Sequence, residues 1–119
     1  MAQILLAEDD DEMRAFLTRG LRRAGHVVNS LADGETALAA AGTASYDLLL
    51  ADVVMPGLDG IELARRVTAL QPGIRVMFIT GFAAVALHEA ETAPNRPRVL
   101  AKPFHLRRLI EEVEALLSQ

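Results

Sequence analysis

A chain of 119 residues with a formal net charge of −4 and no cysteine can bury one sizeable hydrophobic core and is too short for a second module. The missing thiols exclude a disulfide framework and a thiolate metal site. An acidic balance with no basic run at either end lacks the electrostatic footprint of a nucleic-acid binder.

Half of the residues are hydrophobic (51%) but only 4% are aromatic, so the core must be built from Leu, Val, Ile and Ala. No apolar stretch approaches the roughly 18 residues of a membrane span, and Met1-Ala2-Gln3 carries no basic leader region. The expectation is one domain over residues 1–119, soluble and cytoplasmic, with a cell pole as one location open to it.

Apolar runs alternate with segments of helical period, the pattern of βα units and a parallel sheet. The first strand runs from Gln3 to Ala7 and leads into Glu8-Asp9-Asp10. The first helix follows from about Asp11 to Ala24, capped by Asp10 or Asp11, with Met13, Phe16, Leu17 and Leu21 on one face and Gly25 as its stop. The second strand, His26 to Leu31, carries Asn29 and Ser30 and reads as an edge. A short, Ala-rich second helix covers Gly34 to Ala41. The third strand, Asp47 to Ala51, is apolar in succession, as strands covered on both faces are, and Asp52 then opens the turn Val53-Val54-Met55-Pro56-Gly57.

Asp59-Gly60-Ile61-Glu62 has the form of a capping box for the third helix, which is predicted to bury Ile61, Ala64, Val67 and Leu70 and to end before Pro72-Gly73. The fourth strand is Arg75 to Thr80. A fourth helix within 83–93 is predicted to be short, because Pro94 and Pro97 truncate it. The fifth strand, Arg98 to Ala101, leads into Lys102-Pro103. The fifth helix has the cleanest period, with Leu106, Leu109, Ile110, Val113, Leu116 and Leu117 in one stripe.

Four separated segments therefore bring polar groups to predicted strand ends: Glu8-Asp9-Asp10, Asp52, Thr80 and Lys102. In open α/β sheets ligands bind in the crevice beyond those carboxyl ends. Ionised carboxylates gathered there repel by roughly 4 kcal/mol per pair at 4 Å and an effective dielectric of 20, so the arrangement calls for a divalent cation, a lysine, or both. Phosphoryl transfer to a carboxylate fits. Asp52 would be the nucleophile, Glu8 and Asp9 would hold Mg²⁺ directly or through water, Lys102 would pair with a phosphoryl oxygen, and the Thr80 hydroxyl would bond another. Taken singly, Asp10 or Asp11 is a helix cap, Lys102 a surface lysine and Thr80 a strand former; it is their joint placement that argues for a site. His26, His88 and His105 fall apart from one another and read as surface or cap residues, and Arg96, Arg98, Arg107 and Arg108 as a solvated face.

The same residues carry a likeness. Ile4-Leu5-Leu6-Ala7-Glu8-Asp9-Asp10, Asp52-Val53-Val54-Met55-Pro56-Gly57-Leu58-Asp59-Gly60, Thr80-Gly81 and Lys102-Pro103-Phe104 resemble the response-regulator receiver family, in order and across the whole chain. The resemblance implies a flavodoxin-like, doubly wound sheet of five parallel strands in order 2-1-3-4-5 with five helices. It implies that Asp52 is phosphorylated by a histidine kinase or histidine phosphotransfer protein. Mg²⁺ would be bound by the side chains of Glu8, Asp9 and Asp52 and the backbone carbonyl of Val54, with Thr80 as switch hydroxyl, Lys102 as phosphate partner, and a cis Lys102-Pro103 bond. The only intrinsic catalysis implied is self-dephosphorylation, which the apolar Val54 and Phe82 flanking the water path would make slow.

One departure is Val99, where the family commonly has an aromatic residue three positions before the lysine. The segments Glu8 to Val28, Arg75 to Leu87 and Lys102 to Glu114 further resemble stand-alone alphaproteobacterial receivers. That likeness implies regulated proteolysis in the cell cycle, with the ClpX unfoldase of the ClpXP protease as output partner. The alternatives are a Mg²⁺-dependent phosphatase with an aspartyl nucleophile, which would usually have an acid where Val54 stands, a flavin carrier of related fold, and a binding module that works without phosphorylation.

Overall fold

The computed structural model describes residues 1–81, His88 and residues 96–119. In chain order the described elements are β1 (Gln3–Ala7), α1 (Asp11–Arg23), β2 (Val27–Leu31), α2 (Gly34–Ala41), β3 (Leu48–Asp52), α3 (Gly60–Leu70), β4 (Arg75–Thr80), β5 (Arg98–Ala101) and α4 (Leu106–Leu117). The five strands form one parallel sheet in the order β2-β1-β3-β4-β5. Four helices lie among the described residues; the further helix expected within 83–93 falls outside them.

The apolar composition of the inner strands places them. Every residue of β3 is buried, and in β4 only Arg75 reaches the surface, so these strands take helices on both faces. The period of two divides their side chains between two cores. On one face Leu5, Leu49 and Phe78 meet α2 and α3 through Ala37, Leu63 and Val67. On the other, Ile4, Leu50 and Ile79 meet α1 and α4 through Leu17, Leu109 and Val113. Burying each such Leu, Ile, Val or Phe contributes about 1.5–3 kcal/mol, which lets a core with few rings hold the sheet. β2 is the outer strand on its side, as its polar Asn29 and Ser30 indicated, and Val27 and Asn29 are exposed.

Several expectations are corrected in detail. β3 includes Asp52, so this acid ends the strand and does not merely open a turn. Asp10 is the cap of α1, its carboxylate accepting from Met13 N–H at 3.0 Å. Phe16 is 39% exposed, because α1 faces the sheet along Leu17, Gly20 and Leu21. In α3 the buried set is Gly60, Leu63, Ala64 and Val67, spaced i, i+3, i+4, i+7; this turns Leu70 out to 54% exposure. Asp59 caps α3 by accepting from Glu62 N–H at 2.8 Å, but the Glu62 carboxylate bonds Arg65 and Arg66 and does not close a capping box. His26 is buried, not on the surface: its Nδ1 accepts from Ala2 N–H and its Nε2 bonds Glu114 at 2.8 Å. His105 is the N-cap residue of α4 without a side-chain cap bond, and His88 is exposed.

Candidate functional site

The backbone ladder fixes the site before any side chain is considered. Glu8 follows β1 directly, and its N–H donates to Leu31 O at 3.1 Å, extending the β1–β2 pairing by one residue. Asp52 is the last residue of β3, in register with Ile79 of β4. Lys102 follows β5, its N–H donating to Thr80 O at 2.8 Å, and the Lys102-Pro103 bond is cis, as the resemblance implied. The carboxyl ends of β1, β3, β4 and β5 thus present Glu8, Asp52, Thr80 and Lys102 at one edge of the sheet.

Lys102 lies between two acids, its Nζ 2.9 Å from Asp52 Oδ2 and 3.2 Å from Glu8 Oε1. The remaining carboxylate oxygens are also held: Asp10 N–H donates to Glu8 Oε2 and Val54 N–H to Asp52 Oδ1. Arg14 Nη1 donates to the Glu8 carbonyl, fixing the backbone from α1. Glu8 is wholly buried and Asp52 nearly so, whereas Asp9 is exposed. Glu8, Asp9 and Asp52 each offer an oxygen within 4.8 Å of the others'.

The electrostatics follow from that enclosure. Burial pushes the Glu8 carboxyl up to about 7, the Asp10 N–H opposes this, and the nearby Asp52 charge reinforces it. Lys102 attracts the ionised form, but desolvation of the enclosed acid outweighs it. For Lys102 itself, burial pulls downward, yet its bond to Asp52 and the charges of both carboxylates lift the ammonium above its usual range. The lysine is therefore a firmly charged partner, and Glu8 is the group that titrates near neutrality.

Thr80 is buried at the end of β4, beside the ion pair in the strand order. Val54 is 54% exposed, so its side chain faces solvent while its backbone stays tied to Asp52. Val99, in place of an aromatic residue, is half-buried opposite Phe78. Phe82 lies outside the described residues.

Two contributors were not assigned to the site from the sequence. Gly60 lets α3 begin against the strand end; a Cβ there would sit 2.1 Å from Asp52 O, and the Gly60 N–H donates to Val53 O at 3.0 Å. Glu35, in the first turn of α2, accepts from Leu58 N–H at 2.9 Å in the loop that leaves Asp52. From sequence, Gly60 is half of a capping pattern and Glu35 an acid that suits a helix start.

An all-oxygen set of three carboxylates, without imidazole or thiolate, suits a hard divalent cation such as Mg²⁺. The sequence model of the response regulator receiver domain matches residues 4–114. The chain belongs to the response regulator receiver family. This receiver is 51% identical over 117 residues to the response regulator receiver protein CpdR of Brucella abortus, covering 98% of both chains. It also superposes on the chemotaxis protein CheY4 of Vibrio cholerae with a TM-score of 0.88, at 27% identity and 98% coverage of each chain. The response regulator TrrA of Thermotoga maritima, in complex with Mg(2+)-BeF, matches at a TM-score of 0.85 and 26% identity, covering 98% of this receiver and 99% of TrrA. The neighbours share the doubly wound, flavodoxin-like architecture that the resemblance implied, of which the alternating pattern by itself indicated a parallel α/β sheet.

Proposed function

We propose that this receiver accepts a phosphoryl group on Asp52 from a phosphohistidine of a histidine kinase or histidine phosphotransfer protein, and that the change alters its binding to a protein partner. The observation that carries the reading is Asp52 itself: a nearly buried strand-end carboxylate, 2.9 Å from a firmly protonated Lys102 and within 4.8 Å of two further acids. In the transfer an Asp52 carboxylate oxygen forms the new P–O bond, the P–N bond to the imidazole breaks, and the leaving ring nitrogen takes a proton from solvent.

Glu8, Asp9, Asp52 and the Val54 carbonyl would hold Mg²⁺. When bound, the ion neutralises charge on the phosphoryl oxygens. Lys102 pairs with one of these oxygens, and the Thr80 hydroxyl donates to another, drawing its loop toward the site. The output proposed is regulated proteolysis, with the ClpX unfoldase as partner; it is supported by 51% identity along nearly the full length of CpdR.

The test is Mg²⁺-dependent labelling by acetyl phosphate or phosphoramidate, read by intact mass. One phosphoryl group is expected on the wild type and none on Asp52→Asn. Unlabelled wild type, or labelling that survives the substitution, overturns the reading. Retention of ClpX by the unlabelled but not the labelled protein then tests the output.

The raised Glu8 carboxyl gives a pH prediction. An acid that holds its proton more tightly in the folded than in the unfolded chain stabilises the fold below its ordinary value of 4.5, and that contribution disappears as pH rises through about 7. Without divalent cation the receiver is thus expected to lose stability across this window, by roughly 3 kcal/mol at most from this group. Because the proton and the cation compete for the same oxygens, Mg²⁺ affinity is expected to rise up to about tenfold per pH unit from roughly 5 to 7 and then level off. Titration calorimetry in two buffers of different ionisation enthalpy measures both the affinity and the released proton.

A further inference from the structure

We propose that Glu35 is a positioning residue that latches the 53–59 loop, so that helix α2 tunes the affinity of the acidic site for a divalent cation. This rests on the reading of Glu8, Asp9, Asp52 and the Val54 carbonyl as the cation site. The loop leaves Asp52, carries Val54 and returns to the cap of α3, and it is pinned at two points. At one end Gly60 N–H donates to Val53 O. At the other the Glu35 carboxylate accepts from Leu58 N–H at 2.9 Å.

The second pin depends on close approach. A Cβ on Gly34 would lie 2.5 Å from the Leu58 carbonyl oxygen, so only glycine lets the start of α2 enter the loop this deeply. Gly57 has φ +74, a left-handed conformation that glycine adopts without strain, and a Cβ there would stand 2.8 Å from Glu35 Oε2. The Asp33 cap of α2, accepting from Thr36 N–H at 2.8 Å, sets the helix end from which Glu35 projects.

Glu35 is exposed, so water competes for Leu58 N–H and the latch is an equilibrium. The Val54 carbonyl lies between the two pins. A cation bound to that carbonyl favours the latched loop, and by linkage the latch favours the cation by the same factor.

The test uses the whole chain as wild type, Glu35→Ala, Glu35→Asp and Glu35→Gln. Aspartate keeps the charge at the helix start but is one methylene too short for Leu58, whereas glutamine keeps an acceptor oxygen at full reach. Three quantities are read: hydrogen exchange of the Leu58 amide, the Mg²⁺ dissociation constant and the thermal midpoint. Glu35→Ala and Glu35→Asp are expected to speed Leu58 exchange and weaken Mg²⁺ binding about fivefold with little change in midpoint. Glu35→Gln should recover most of both, and Mg²⁺ should slow Leu58 exchange in the wild type. A wild type that binds no Mg²⁺ overturns the cation reading and the tuning with it. A wild type that binds Mg²⁺, with Glu35→Ala and Glu35→Asp at the same affinity, overturns the tuning alone.

Discussion

Replacing Lys102 with alanine is expected to slow phosphorylation of Asp52 by about a hundredfold or more while tightening Mg²⁺ binding. The two effects have opposite signs because, in the proposed site, the ammonium group has two competing roles. Toward a phosphoryl group it is a fixed donor, and removing one such donor from an enclosed site costs about 10²–10³ in rate. Toward a cation it is a rival: it stands 2.9 Å from Asp52 and 3.2 Å from Glu8, on oxygens that a metal would share.

With all groups ionised, three carboxylates against one ammonium leave a cluster charge of −2, and the substitution makes it −3. Repulsion inside a nearly buried cluster then favours any divalent cation, by about tenfold in affinity if one additional pair interaction is screened to near 1.4 kcal/mol. Without cation the variant should unfold more easily at pH 8 than the wild type, by about 2–3 kcal/mol, less than the 3–5 kcal/mol typical of a broken buried pair because Glu8 can take up a proton. Labelling rate, calorimetry, and urea denaturation with and without Mg²⁺ read the three effects. Labelling at the wild-type rate would remove Lys102 from its assigned role.

Gly60→Ala is expected to be the most destabilising of the single-methyl additions. In an ordinary helix the change stabilises by about 1 kcal/mol, since alanine is the better helix former. Here the new Cβ would lie 2.1 Å from Asp52 O and 2.9 Å from Val53 Cα, both backbone atoms that cannot rotate away. Over-packing costs about 1–3 kcal/mol where side chains can adjust and more where they cannot, so a loss of about 3 kcal/mol or more is expected. Since the obstacle is the peptide of Asp52, labelling should fall with stability. Gly73→Ala, where no atom lies within 4 Å, is the matched control and should stay within about 1 kcal/mol of the wild type. Chemical denaturation decides between them, and equal midpoints for the two variants would contradict the packing argument.

Both predictions concern the sheet edge, where the sequence was most legible. Of the two strands with continuous apolar character, Arg75 to Thr80 was readable to the residue and the third strand was displaced by one, Leu48–Asp52 in place of Asp47 to Ala51; charged residues immediately beyond such runs have few places to go in a parallel α/β fold. The helix faces were less legible. α3 has apolar side chains at Ile61, Leu63, Val67 and Leu70, and periodicity alone does not decide which of two overlapping stripes faces the sheet. The approach of Gly60 to Asp52 decides it, burying Leu63 and exposing Leu70. His26 was misplaced for a similar reason: its partners Ala2 and Glu114 are remote in sequence and leave no local pattern. Glu35 was invisible because a helix-start acid has an adequate local explanation, and its bond to Leu58 exists only once α2 has docked.

Lys102 touches Glu8 across 94 positions of chain and Asp52 across 50. A polypeptide still emerging from the ribosome, with its last strand in the exit tunnel, holds two of the acids and not yet their counter-ion. The proposed acceptor site is therefore assembled only when β5 has joined the sheet, in the same event that brings Leu100, Leu109, Val113 and Leu116 into the core on one face.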